Sequence, residues 1–293
     1  MKGKIIRAVA GYYYVFDYED GRTHQCRARG IFRKDGSKPL VGDEVLFDLT
    51  HTEDTEGTVD EILPRKNSLI RPPVANVDQA LIVFALKDPE PNLSLLDRFL
   101  VLMKRQNIPA VIVFNKDDLD EKDTFDGIAR VYRDCGCQVL SMSIRTGEGV
   151  ERVRHLFDNK TTVLAGPSGV GKSSLTNLLC PDAGMEVGEV SRQNRRGKQT
   201  TRHAELFPCG KDSFFFDTPG FSSLYLDEIR PQDLKMYFPE FEAYEPSCRF
   251  SGCLHLAEPD CGVKEAVRSG KISRERYDSY RKLYEELKEG RKR

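Results

Sequence analysis

Apolar positions recur with two different periods along the chain, and the change of period divides it. Gly3 to Asp17 is rich in Ile, Val, Tyr and Phe, Arg22 to Ile31 alternates loosely, and Asp43 to Leu49 is apolar at alternate positions. Alternation marks a half-buried strand. Asp20-Gly21 and Asp35-Gly36 are turn dipeptides, Thr58 to Leu63 supplies another strand, and Pro64 with Pro72-Pro73 marks a boundary near residue 70. Short strands with regular turns predict a small all-β barrel or sandwich.

Beyond that boundary strands and helices alternate. Gln79 to Leu86 reads as a buried strand. Leu93 to Arg105 carries Leu96, Phe99, Leu100 and Met103 at helical spacing. A strand at Ala110 to Phe114, a helix at Thr124 to Cys135, a strand at Gln138 to Met142, a helix at Val150 to Phe157 and a strand at Thr161 to Ala165 follow. This rhythm predicts a mostly parallel sheet with helices on both faces. From about residue 226 strands are lacking; Asp227 to Met236 and Tyr277 to Leu287 read as helical. The predicted domains are 1–70, 71–225 and 226–293.

Composition narrows the class. The 293 residues are 39% hydrophobic and 31% charged, which fits a soluble globular protein. No apolar run reaches the roughly 18 residues of a membrane span, and no apolar segment follows Met1-Lys2-Gly3-Lys4, so the expectation is a cytoplasmic protein without membrane contact. The net charge of −1 hides asymmetry: residues 1–40 hold nine bases and four acids, 41–64 eight acids and no base, 264–293 eleven bases and six acids. Separate basic surfaces can bind nucleic acid at near-zero total charge, although solvated faces are the commoner meaning.

Three motifs carry chemistry. Gly166-Pro167-Ser168-Gly169-Val170-Gly171-Lys172-Ser173, followed by Ser174, matches the phosphate-loop pattern, with a strand before it and apolar periodicity after it. Backbone N–H groups of such a loop wrap a phosphate, Lys172 reaches the β/γ-phosphates, and the Ser173 hydroxyl ligates Mg²⁺. Asn115-Lys116-Asp117-Asp118 reads as N-K-x-D. Asp118 can accept from both N1–H and N2–H of guanine, an edge that adenine does not offer; Asn115 can bond the purine or brace the loop, and the Lys116 stem can lie along the base. Asp217-Thr218-Pro219-Gly220 ends the apolar run Phe214 to Phe216, where Asp217 can hold Mg²⁺ through water and Gly220 can donate to a γ-phosphate. Ser143 to Gly149 can give backbone N–H contacts to the guanine carbonyl. A Thr hydroxyl within Arg195 to His203 can complete the Mg²⁺ shell in a loop ordered by the triphosphate.

Cys248, Cys253, His255 and Cys261 offer three thiolates and one imidazole in fourteen residues, a full ligand set for one structural Zn²⁺. A closed set leaves no position for water, so catalytic zinc is not expected. The other cysteines are scattered.

The motif order resembles a translation-factor-type GTPase that has been circularly permuted: N-K-x-D and the Ser143 stretch precede the phosphate loop, Thr200-Thr201 and Asp-Thr-Pro-Gly. Joined termini make such a rearrangement physically feasible. A small β domain, a permuted G domain and a Cys-x4-Cys-x-His-x5-Cys domain together resemble the ribosome-small-subunit-dependent GTPase family RsgA (YjeQ/YloQ) over nearly the full length. The resemblance implies an OB-fold, an α/β P-loop GTPase domain and a mainly helical zinc domain. It implies hydrolysis of GTP to GDP stimulated by the small (30S) subunit late in its maturation, in a bacterial-type cytoplasm.

The resemblance transfers Lys172, Ser173, Thr201, Asp217, Gly220, Asn115 and Asp118 as nucleotide and Mg²⁺ residues. Thr201 is preferred to Thr200 because it stands before Arg202-His203. Gln199 stands where family members often carry His, and Phe221 stands where Ras-like enzymes position water with Gln. Slow unstimulated hydrolysis is the expectation. Candidate contacts to 16S rRNA are Arg27, Arg29, Arg33, Lys34, Arg274, Arg276, Arg281 and Lys282, and a single dock on a large particle suggests a monomer. An RNA-binding scaffold that only stores GTP and a phosphoryl transferase are the alternatives, both disfavoured by the intact motif set.

Overall fold

The computed structural model describes residues 1–30, 32, 38–50, 56–69, 73–121, 123–181, 204–210, 212–217, 226 and 229–290. The chain divides into two compact units: residues 1–81, 150–165 and 171–222 form one, and 82–149, 166–170 and 223–293 the other.

The first unit opens with β1 (Lys2–Val9), β2 (Tyr12–Asp17), β3 (Thr23–Ala28), β4 (Glu44–Leu49) and β5 (Gly57–Ile62). Their order is β2-β3-β5-β4-β1, and β1 also pairs with β2, so the five strands close on themselves. Closure removes both sheet edges, as in an OB-type barrel. Only the β3–β5 pair is parallel. Ile5, Val15, Cys26, Val45, Phe47 and Val59 fill the interior, all fully buried. The apolar stretch from Gly3 to Asp17 is thus a hairpin, turned at Ala10 and Gly11, both at positive φ. Gly11, inside a run rich in Ile, Val, Tyr and Phe, is the local sign of that turn.

In the same unit β9 (Thr161–Ala165) lies parallel to β11 (Phe214–Asp217), and β10 (Glu205–Pro208) forms an antiparallel hairpin with β11. Helix α4 (Lys172–Leu179) follows β9, and Cys180 at its C-terminus is disulfide-bonded to Cys209. The buried Lys4 ammonium donates to Thr161 Oγ1 at 2.9 Å, meets Glu44 at 3.1 Å and sits 4.7 Å over the Phe214 ring. That network fixes β1 of the barrel to β9 and β11. Four-residue β10 was not anticipated; its pairing is a tertiary effect that local pattern does not carry.

In the second unit β7 (Ala110–Asn115) and β8 (Gln138–Ser141) pair in parallel, with the latter part of β6 (Gln79–Ala85) beside β7. Helix α1 (Leu93–Arg105) is capped by the Asn92 side chain, which accepts from Leu95 N, and buries Leu96, Phe99, Leu100 and Met103 as its spacing predicts. Helix α2 (Thr124–Val131) stops short of Cys135 because the chain turns at Tyr132. Val150–Arg154 (α3), which belongs to the first unit, continues as a 3₁₀ turn to Phe157.

The C-terminal part has no strand among its described residues. Pro231–Tyr237 is 3₁₀ rather than α-helical, and α5 (Gly262–Arg268), not anticipated, precedes α6 (Arg274–Gly290). Arg276 on α6 is a correction to the sequence reading. It is 2% exposed and bonds Asp97 and Glu240, so it cannot reach RNA. Its position in a basic stretch concealed that it faces inward on the helix.

Candidate functional site

The guanine-type loop begins where β7 ends. Asn115 is buried; its Nδ2 donates to Val170 O at 2.8 Å and its Oδ1 accepts from Ile144 N at 3.2 Å. It therefore braces the phosphate-loop backbone and the Ser143 stretch at once, the second of its two anticipated roles. Lys116 adopts a left-handed conformation (φ 63°) and its ammonium donates to Asp88 O. This turn starts the 3₁₀ segment Asp117–Leu119 that presents Asp118. Burial raises the Asp117 carboxyl above its usual range, opposed by its bond with Ser141.

Asp118 holds two partners. Its Oδ1 accepts from Ser143 Oγ at 2.6 Å, and its Oδ2 pairs with Arg145 Nε at 2.8 Å. Ser143 is fully buried, and its Oγ also accepts from Thr146 N, which makes the loop rigid. A carboxylate offers about four acceptor directions, so Asp118 keeps capacity for two guanine donors. Arg145, largely exposed, was not anticipated. Its Nε–H takes up one acceptor direction of Asp118 Oδ2.

The phosphate loop leaves β9 at Gly166, whose φ is 136°. A Cβ there would lie 2.0 Å from Val83 O, so only glycine lets the loop pass the β6 backbone. Val170 is buried and anchors the loop. Gly171 (φ 97°) is the N-cap of α4, which places Lys172 and Ser173 in its first turn. A glycine-rich turn opening a helix gathers backbone N–H groups and the positive helix end at one spot, the requirement for a phosphate. Pro167, Ser168, Gly169 and Ser174 lie in this turn and first helical turn as read. Asp217 terminates β11. Gln199, Thr200, Thr201, Gly220 and Phe221 lie outside the described residues, as do Arg33 and Lys34.

The metal-type cluster is assembled by the loop between the 3₁₀ segment Glu245–Ser247 and α5. The ligand atoms of Cys248, Cys253, His255 and Cys261 all lie within 4.8 Å of one another. Cys248 Sγ is 3.8 Å from Cys261 Sγ and 3.7 Å from His255 Nδ1, and Nδ1 is 3.3 Å from Cys261 Sγ. Tetrahedral zinc with bonds of ~2.3 Å to sulfur and ~2.0 Å to nitrogen spaces its ligands roughly 3.5–3.8 Å apart, so the donor set fits. His255 Nε2 lies 3.0 Å from Glu245 Oε1; a proton shared there leaves Nδ1 to face the thiols. His255 N and Lys264 N donate to Cys253 and Cys261 sulfur, and Tyr277 and Tyr280 hydroxyls donate to the carbonyls of His255 and Leu254 at 2.6 Å. Burial pushes the metal-free Cys253 thiol up to about 12, a penalty that a bound cation reverses. Glu245 and the two tyrosines carried no local sequence signal.

Of the candidate RNA contacts, Arg27 and Arg29 are exposed. Arg27 stacks 4.8 Å over the Tyr12 ring, and both line a cavity of about 670 Å³ with Tyr13, Phe32 and Lys38. Arg274, Arg281 and Lys282 are exposed on α6, where Arg274 and Arg281 pair with Asp278.

A guanine-type loop that precedes a phosphate loop in sequence, both following a β-barrel segment, defines a circularly permuted P-loop GTPase. Residues 62–227 match the family model described as RsgA GTPase, and residues 2–59 match the RsgA N-terminal domain. The small ribosomal subunit biogenesis GTPase RsgA of Agathobacter rectalis is 48% identical, with all of both chains covered; that of Alkaliphilus metalliredigens is 44% identical over 99% of each. Among solved structures, YloQ, described as a circularly permuted GTPase, superposes with a TM-score of 0.80 at 42% identity over 98% of this chain and 95% of that one. YjeQ from Thermotoga maritima gives 0.82 at 35% identity over 98% of each. The chain belongs to the RsgA GTPase family, and it is a GTP-hydrolysing enzyme.

Proposed function

We propose that this chain hydrolyses GTP to GDP and phosphate when docked on the small (30S) ribosomal subunit, and so acts as a late maturation factor for that particle. The observation that carries the reading is the intact guanine and phosphate loops in permuted order, in a chain 48% identical over its whole length to a small ribosomal subunit biogenesis GTPase. Asp118 reads the base, with Ser143 fixing its carboxylate and Asn115 bracing the loop. Lys116 lies along the base, residues 166–174 cradle the phosphates, and Lys172 reaches the β/γ oxygens.

Ser173 and Thr201 would hold Mg²⁺, with Asp217 acting through water, and the ion would supply charge compensation on the phosphates. Gly220 donates to the γ-phosphate, and Gln199 orients the attacking water. Phe221 has no hydrogen-bonding group for that task, so the unstimulated rate is low. Zinc at Cys248, Cys253, His255 and Cys261 is structural.

The chain is organised as domains 1–70, 71–225 and 226–293. The barrel contacts 16S rRNA through its Tyr12, Arg27, Arg29 and Lys38 surface, where aromatic and cationic groups meet as single-stranded nucleic acid requires. Arg33, Lys34, Arg274, Arg281 and Lys282 add phosphate contacts. The protein works as a monomer in the cytoplasm; no described helix is long and apolar enough to cross a membrane.

Cosedimentation tests the docking. With a non-hydrolysable GTP analogue the chain should pellet with small subunits and not with large ones, and GDP should weaken the association. Equal pelleting with both subunits, in either nucleotide state, would refute it.

A further inference from the structure

A second pair of thiols lies outside both sites. Cys135 and Cys137 flank Gly136 in the turn between α2 and β8. Cys135 N closes the turn on Tyr132 O at 3.2 Å, and Gly136 has φ 76°, a left-handed conformation that suits glycine. Cys137 Sγ sits 3.9 Å from Cys135 O, and each thiol shifts the titration of the other. Neither is in a disulfide. Both line a cavity of about 310 Å³ whose walls include the cationic side chains of Lys104 and Arg276.

The pair is asymmetric. Cys135 is 7% exposed, and the bond to Cys137 together with burial raises its thiol. Cys137 is half-buried; the bond from Cys135 lowers its thiol, helped by Arg276 and Lys104 against burial. Cys26, fully buried in the barrel without cations, is instead pushed up to about 12 and is inert.

We propose that Cys135 and Cys137 form a redox-reactive dithiol that low-molecular-weight disulfides oxidise to an intramolecular disulfide. The Cys137 thiolate attacks one sulfur of the small disulfide, forming a mixed disulfide and releasing one thiolate. Cys135 then gives up its proton and attacks Cys137 sulfur, which releases the second small thiol. Two electrons pass from the protein pair to the small disulfide, and two small thiols leave. The reach is adequate: with ~3.8 Å per Cα step, residues two apart in a turn fall within the roughly 4.4–6.8 Å that a disulfide spans.

The test uses the full zinc-loaded chain with oxidised glutathione as probe, quenched by an alkylating agent. Trypsin cleaves after Arg133 and Arg145, and the peptide Asp134–Arg145 contains these two cysteines alone. The expected result is a peptide lighter by two hydrogen atoms that escapes alkylation, returns to two alkylated cysteines after reduction, and forms without zinc release. Cys135→Ser should stop at a stable glutathione adduct on Cys137, whereas Cys137→Ser should react at least tenfold more slowly than the wild-type chain. Full alkylation of both cysteines at every glutathione ratio would overturn the proposal, as would a Cys137→Ser chain reacting at the wild-type rate. If either variant fails to fold, the wild-type peptide map decides alone.

Discussion

Replacing Arg276 by Met should destabilise the chain more than any other single change on α6. The guanidinium is 2% exposed, and its charge faces two buried carboxylates: Nη1 bonds Asp97 at 2.6 Å, while Nε and Nη2 bond Glu240 at 2.6 and 3.1 Å. Phe238 lies 4.6 Å and Tyr132 5.5 Å from its centre. Burial disfavours its charge, but the two carboxylates outweigh that and hold its pKa above the usual value. Met nearly fills the volume, so the main loss is that Asp97 and Glu240 stay buried without a counter-charge. Breaking such an arrangement costs about 3–5 kcal/mol. At ~2–4 °C per kcal/mol for a body of this size, the midpoint should fall by roughly 6–20 °C. The chain lacks Trp, so far-UV circular dichroism of zinc-loaded protein in urea and on heating is the assay. A triple variant, Asp97→Leu with Glu240→Met and Arg276→Met, should recover most of the loss, because apolar replacement of a whole buried ion network is near neutral. A single Arg276→Met chain within about 1 kcal/mol of wild type would refute the argument.

Three further outcomes are expected. Asp118→Asn should weaken GDP by about 10²–10⁴-fold, from the loss of two charge-assisted bonds of ~1.5–3 kcal/mol each, and should favour xanthosine diphosphate, whose C2 carbonyl accepts from the new amide; calorimetry with both nucleotides checks it. Arg145→Ala should bind GDP up to roughly fivefold more tightly, since it frees Asp118 from an exposed pair worth ~0–1 kcal/mol; weaker binding would instead make Arg145 a base contact. The purified chain should carry one zinc by elemental analysis, and Cys248→Ser or chelation should lower the melting temperature; a chain free of zinc with unchanged melting would contradict the structural role.

What the sequence revealed follows from how local each cause is. The phosphate loop and N-K-x-D are contiguous, so their chemistry and spacing are visible without a fold, and Leu93 to Arg105 shows its buried face by period alone. The four zinc-type ligands are close enough in sequence for their number to be decisive. The clamp on Asp118 was hidden, because Ser143 and Arg145 reach it only once β7 and β8 are paired. Arg276 was misplaced for a similar reason: charge composition marks a surface, while two carboxylates from Asp97 and Glu240, far away in sequence, turned it into a core residue. Helix α5 was missed because its N-cap acceptor is the Cys261 thiol, which no capping rule names. The Cys180–Cys209 bond spans 29 residues with nothing local to announce it.

The most direct test of the account is phosphate release from GTP by the zinc-loaded chain, alone and with small subunits, against large subunits and ATP. Release should be slow alone and strongly stimulated by small subunits only, and ATP should not react. Tight GTP binding with the same slow release in the presence of small subunits would contradict it.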